Sequence, residues 1–231
     1  MIDIILMQLD HVDSTVRACH DALLPAEQQR AAGLRRVDDR SRFVTTRAVL
    51  RAVLARRLGV VPAAVAFTTT ARGKPVLDGA IHGDAHVHFN VSHAGAWAAI
   101  AMAAYPVGVD IEQVRDLDVA AVAAQVFDSA TCQRIARDAH AQDVFFREWT
   151  AHEAQWKATG EGLAGAQALQ AGDRQPSGQG RLLGQAQVLA LDVAPGYHGA
   201  VCVLNAPGLC RATDIHITTC RAAEMLAQVN S

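Results

Sequence analysis

The chain of 231 residues predicts a fold that mixes strands and helices in both of its halves. Short β-branched or alternating runs bounded by Gly, Pro and Asp recur along the whole length. Two longer stretches, 38–58 and 145–159, carry apolar residues at helical spacing, and neither kind of segment is confined to one end. With 51% hydrophobic residues, the chain can bury a sizeable core as one large domain or two modest ones.

Residues 2–9 read as a short strand. Pro25 followed by Glu27 marks a helix start, because proline brings a helical φ and lacks an N–H that the first turn could not use. Over 38–58, Phe43, Leu50, Leu54 and Leu58 recur at helical spacing with Arg40, Arg47 and Arg51 on another face, and Gly59 ends the helix. A strand at 65–68, a turn at Arg72-Gly73-Lys74-Pro75 and a strand at 87–91 follow. The run 96–104 is apolar throughout, so periodicity leaves strand and helix open, and its place between two motifs favours strand. Residues 107–112 alternate as a strand does, and 118–127 and 129–140 read as helices. The helix 145–159 is closed by Gly160 and Gly162, and 172–184 is a polar loop. Strands at 185–193, 198–204 and 213–219 precede a closing helix near 220–229. No internal sequence repeat is visible.

Composition excludes some functions. A formal net charge of −2 provides no overall basic field, which argues against a nucleic-acid partner. The charge is uneven, however, since 30–57 holds nine arginines against Asp38 and Asp39. Such a segment suits a phosphorylated ligand or an acidic protein, and equally a solvated helix face. Of the 21 basic residues only Lys74 and Lys157 are lysines, and both fall in distinctive segments. A compact ammonium on a flexible stem meets a single phosphate oxygen differently from a planar guanidinium. Five cysteines without a CxxC pair indicate free thiols rather than a disulfide framework. The apolar start carries Asp3 and no basic flank, so neither a signal peptide nor a membrane span is expected, and a cytoplasmic setting follows.

Four segments carry chemistry. Asp110 and Glu112 stand two apart on a predicted strand and so share a face, with Val109 and Ile111 turned to the core. Paired carboxylates suit Mg²⁺, and they also suit an exposed strand with two solvated acids. On the helix 145–159, Phe145, Trp149, His152 and Trp156 trace one side while Glu153 and Lys157 stand at i and i+4. That pair is either an ordinary helix-stabilising device or a third carboxylate followed by a cation for a phosphate. Ser92 and His93 end a predicted strand, where both can bind a phosphate oxygen or satisfy the local backbone. His82, His86 and His88 have a spacing that could bind a transition metal, though they precede the strand in a loop.

The ordered segments Gly73-Lys74-Pro75, Phe89-Asn90-Val91-Ser92-His93, 107–112 and Trp149 through Leu163 resemble the motifs of the large, two-lobed class of 4′-phosphopantetheinyl transferases, the Sfp-type enzymes. The resemblance spans about 30–205, including the Arg-rich helix and the strand near Tyr197. It implies an α+β fold of two similar lobes with pseudo-twofold symmetry, here 1–106 and 107–231, with coenzyme A (CoA) between them, and a monomer, since the two lobes supply the whole site. It implies transfer of phosphopantetheine from CoA to a serine of an apo acyl or peptidyl carrier protein, with release of adenosine 3′,5′-bisphosphate. Asp110, Glu112 and Glu153 would hold Mg²⁺, and Glu153 is also the candidate base. Lys157 would contact the pyrophosphate, Lys74 with Pro75, Ser92 and His93 the CoA phosphates, and Arg42 and Arg47 the adenosine-phosphate end. His152 stands where the family usually has Lys, and by position it would face the phosphates as a pH-dependent cation. A non-catalytic CoA- or carrier-binding module and a Mg²⁺-dependent CoA diphosphate hydrolase are the alternatives.

Overall fold

The protein is seen in a computed structural model that describes residues 1–9, 13–83, 85–160, 186–205 and 215–229. The chain opens on β1 (Ile2–Gln8), followed by α1 (Asp13–Asp21), α2 (Pro25–Ala32) and the long α3 (Val37–Leu58). After a 3-10 turn (Pro62–Ala64) come β2 (Phe67–Thr69), β3 (Pro75–Leu77), the short α4 (Gly79–His82), β4 (His88–Ala94) and β5 (Trp97–Ala103). The second half runs β6 (Val107–Gln113), α5 (Val119–Val126), α6 (Ser129–Arg137), α7 (Ala141–Thr159), β7 (Ala186–Leu191), β8 (Tyr197–Leu204), β9 (Ile215–Arg221) and α8 (Ala222–Val229). The fold is α+β.

One connectivity occurs twice. In the first half a strand, two short helices, a long helix and, after the β2–β3 hairpin and α4, two more strands give the sheet order β4-β5-β1. In the second half, among the described residues, a strand, two short helices, a long helix and two strands give β7-β8-β6, and every pairing in both sets is antiparallel. Each long helix closes on a left-handed glycine, Gly59 at φ 68° and Gly160 at φ 76°, the conformation in which a missing Cβ costs least. The repeat is invisible in the sequence because topology follows the apolar pattern, which many residue choices satisfy.

The two sheets stack face to face. Ile2, Ile4 and Leu6 of β1 and Ala99, Ala101 and Ala103 of β5 share one cluster with Val107, Val109 and Ile111 of β6 and Val201 and Val203 of β8. Their outer faces are covered by helices. Ile5, Met7, Ile100 and Met102 pack with Val49, Val53 and Leu54 of α3 and Met225 of α8, while Ala200 and Cys202 pack under Ala154 and Ala158 of α7. The fully apolar β5 is therefore a strand buried on both faces.

Several boundaries differ from the sequence reading. The strand expected at 65–68 begins at Phe67, because Val65 is wholly buried at the end of the 3-10 turn, and α6 stops at Arg137. More important, 107–231 does not lie in one sheet: β9 returns to pair in parallel with β1, and α8 packs on α3. The loop expected at 172–184, Gly162 and Cys210 lie outside the described residues.

Candidate active site

The edges of the two sheets meet at β4 and β6 without a backbone ladder between them. Asn90 Oδ1 accepts the N–H of Val109 at 2.9 Å, and Ser92 Oγ accepts that of Ile111 at 3.3 Å. Side chains of β4 thus satisfy donors that a neighbouring strand would otherwise take. Asn90 and Ser92 are both buried.

On the face of β6 turned to α7 stand Gly108 and Asp110. A Cβ at Gly108 would collide with the carbonyl oxygen of Ala154 and the nitrogen of Ala158, so the bare backbone lets α7 lie directly on the strand. That approach brings Lys157 to Asp110. Its ammonium donates to Asp110 Oδ1 at 2.5 Å and to Ser92 Oγ at 3.1 Å, and Ser92 donates to the same carboxylate oxygen at 2.9 Å. Lys157 is therefore committed across the seam rather than to Glu153 on its own helix.

Asp110 is only 3% exposed, and its Oδ2 finds no hydrogen-bond partner among the described residues. Burial raises its pKa, against the pull of Lys157 and Ser92, and the nearby Glu112 raises it further. Glu153 is pushed up in the same way, by burial first, with Lys157 opposing and Asp110 and Glu112 reinforcing. The three acids thus sense one another electrostatically. They do not form a cluster of three that could hold a metal, none being found among the described residues, and Glu112 is paired with Arg115 at 2.9 Å.

A cavity of about 250 Å³ opens beside β4, lined by Phe43, Thr46, Arg47, Pro75, Asn90 and His93 among others. Arg47 lies across the Phe67 ring at 4.5 Å, and its buried Nη1 has no partner among the described residues, nor does the Oγ1 of Thr46. Burial lowers the pKa of Arg47, and Glu27 is the group that opposes this. His93 is exposed at the rim, its pKa lowered first by desolvation and further by Arg42 and Lys157. One strand therefore supplies both sites, since Asn90 and His93 line the cavity while Ser92 holds Asp110.

Three expected site residues are placed differently. Arg42 spends its guanidinium on the carbonyl of Gly95 at 3.0 Å and on Asp39 at 3.1 Å, fixing the β4–β5 turn. Lys74, carried by the β2–β3 hairpin, sends its ammonium to the carbonyls of Val107 at 3.1 Å and Lys157 at 2.5 Å. It ties the start of β6 to the last turn of α7, where the helix dipole favours a cation, and burial lowers its pKa to about 8. His152 turns into the aromatic face: its Nδ1 meets the carbonyl of Glu148 at 2.9 Å and its ring packs edge-on against Phe127 at 5.0 Å and Trp156 at 6.0 Å. Of the three histidines expected in a loop, His82 instead ends α4, and its Nε2 accepts the N–H of Ala66 at 2.8 Å.

Asn90 and Gly108 both stand within the matched segments, and neither carries a role there. An asparagine two residues before the serine was the available signal for the first. Nothing local marks the second, whose need is set by a helix arriving from fifty residues on.

A family profile described as 4′-phosphopantetheinyl transferase, N-terminal, matches residues 11–105, and one described as the 4′-phosphopantetheinyl transferase superfamily matches 106–202. The 4′-phosphopantetheinyl transferase HetI of Nostoc sp. is 34% identical over 160 residues, covering 68% of this chain and 67% of that protein. The 4′-phosphopantetheinyl transferase psf-1 of Bacillus pumilus is 30% identical over 174 residues, 72% and 70% of the two chains. The 4′-phosphopantetheinyl transferase Sfp of Bacillus subtilis is 26% identical over 142 residues, 61% of each. With matches that run through both repeats and both edges of the seam, the chain belongs to the 4′-phosphopantetheinyl transferase superfamily and is an enzyme of that kind.

Proposed function

We propose that the chain moves the phosphopantetheine arm of CoA onto a serine hydroxyl of an apo acyl or peptidyl carrier protein and releases adenosine 3′,5′-bisphosphate. The observation that carries the reading is the seam itself: Lys157, Ser92 and Asp110 are gathered on one side of β4, and an arginine-lined cavity with two unpartnered polar atoms lies beside the same strand. CoA offers matching chemistry, with anionic phosphates for Arg47 and His93 and a pyrophosphate for Lys157.

Mg²⁺ fits the donor set. The buried, unpartnered Oδ2 of Asp110 and the mutual repulsion of Asp110, Glu112 and Glu153 are relieved by a hard divalent cation bound to oxygen ligands. Of the three acids expected to hold it, Asp110 offers its unpartnered oxygen, Glu153 stands on the facing helix, and Glu112 would join once released from Arg115; when bound the ion would supply positive charge for the pyrophosphate. The chain's own residues do the rest. Lys157 orients the diphosphate and offsets the charge that grows on the leaving phosphate. The serine oxygen bonds to the pantetheine-side phosphorus as that phosphorus parts from the bridging oxygen, which leaves on the adenosine bisphosphate. The serine proton passes to Glu153, directly or through water. Lys74 acts from behind α7 as an anchor, and Arg42 holds the β4–β5 turn.

The enzyme is read as a cytoplasmic monomer; among the described residues no helix is long and apolar enough to cross a membrane. Incubation with CoA and an apo carrier protein, followed by intact mass, tests the reading. The expected result is a carrier heavier by one phosphopantetheine group. CoA consumed without any carrier gain, or bound without consumption, overturns it.

A further inference from the structure

Glu27 lies outside every motif that carries the transfer chemistry, yet the cavity is built on it. It stands at the third position of α2, where its Oε2 accepts the N–H of Leu24 at 3.1 Å and so closes the helix start. The same oxygen receives Arg51 Nε at 2.7 Å, and Oε1 faces Arg47 Nε at 3.3 Å. All three side chains are nearly buried, Glu27 at 12%, Arg47 at 11% and Arg51 at 3% exposed. Arg51 is itself immobilised, its Nη1 donating to the carbonyls of Pro62 at 2.9 Å and Val65 at 2.7 Å. Glu27 is thus held from two sides, and its second oxygen is left for Arg47. With Nε paired to Glu27, Arg47 lines the cavity, and its buried Nη1 has no hydrogen-bond partner among the described residues.

We propose that Glu27 is a positioning residue for CoA binding: it locks the Nε edge of Arg47 so that the other edge of the guanidinium is presented, already desolvated and oriented, to a ligand phosphate. The inference rests on the reading of this cavity as part of the CoA site. A guanidinium fixed before binding loses little side-chain freedom when the phosphate arrives, which strengthens ground-state binding and leaves the chemical step untouched.

The test is steady-state kinetics of wild type, Glu27→Gln, Arg47→Ala and the double variant, with CoA varied at saturating carrier. Glutamine keeps an acceptor for Leu24 while removing the charge. Glu27→Gln is expected to raise KM for CoA about tenfold, the equivalent of one charge-assisted hydrogen bond, with kcat changed less than about twofold. In the Arg47→Ala background the same change is expected to move KM by less than about twofold, because the group it positions is gone. An equal rise in both backgrounds, a fall in kcat instead, or an unchanged KM in Glu27→Gln beside a raised one in Arg47→Ala, overturns the inference alone. A wild-type KM in Arg47→Ala overturns the CoA reading of the cavity with it. If Glu27→Gln fails to fold, Glu27→Asp, too short to keep all three contacts, is scored against the same outcomes.

Discussion

β1 and β6 hold equivalent places in the repeat: each opens its unit and pairs antiparallel with the unit's last strand. Their other edges differ. That of β1 carries a backbone ladder to β9 over its whole length from Ile2 to Gln8. That of β6 is met by the side chains of Asn90 and Ser92, with Lys157 reaching in from α7. A ladder fixes every backbone group and presents nothing polar but the backbone, whereas an edge satisfied by side chains leaves hydroxyl, ammonium and carboxylate groups gathered at one point. The first edge makes stability, and the second makes a site.

The comparison is broken most directly at Asp110. Asp110→Ala is expected to stay folded, since burial already opposes the charge there, and to lose transfer about 100-fold or more. Near-normal transfer at low Mg²⁺ would remove the acid from the chemistry.

Ser92→Ala leaves the N–H of Ile111 unsatisfied in a buried seam and strips a donor from Asp110. A stability loss of about 1–3 kcal/mol in denaturant titration is expected, accompanied by a fall in transfer. On the ladder edge, Thr219→Ala on exposed β9 should cost within about 0.5 kcal/mol and spare transfer. Equal effects at the two positions would erase the distinction between the edges.

His152→Lys separates packing from electrostatics within α7. The imidazole makes edge contacts with two rings, each contributing about 0.5–1.5 kcal/mol, so a loss of about 1 kcal/mol in stability is expected. Transfer measured from about pH 6 to 9 should follow one profile in both proteins, because the ring is spent on Phe127, Trp156 and the carbonyl of Glu148. A variant that outpaces wild type at the alkaline end would return this position to the phosphates.

A pH-dependent effect belongs to Lys74, whose folded pKa of about 8 lies below the ordinary 10.5. The folded state then binds fewer protons than the unfolded chain between those values, so the burial penalty is fully present below pH 8 and fades as pH rises. The stability of wild type relative to Lys74→Met, followed by denaturant titration, should therefore increase from pH 8 to 10.5. A flat difference would mean that the ammonium is solvated rather than tied to the carbonyls of Val107 and Lys157.

The sequence by itself determined the order of strands and helices, the glycine stops at Gly59 and Gly160, and the residues of the seam. These are local matters: apolar period, cap chemistry and residue type act within a few positions. Val109 and Ile111 face the core and Asp110 the other way because a strand has a period of two. Only the tertiary structure decided what those residues touch. The i, i+4 spacing of Glu153 and Lys157 was compatible with a pair on one helix. Lys157 instead meets Asp110 because Gly108 lets α7 lie on β6. Lys74 and Arg42 were legible as cations, but a long side chain goes to whichever unsatisfied acceptor packing brings within reach, here the end of α7 and the turn at Gly95. His152 falls within the helical line of Phe145, Trp149 and Trp156, and the arrival of Phe127 from outside α7 completed its ring contacts. Spacing along the chain states which groups can share a face, and burial against a second element chooses among them.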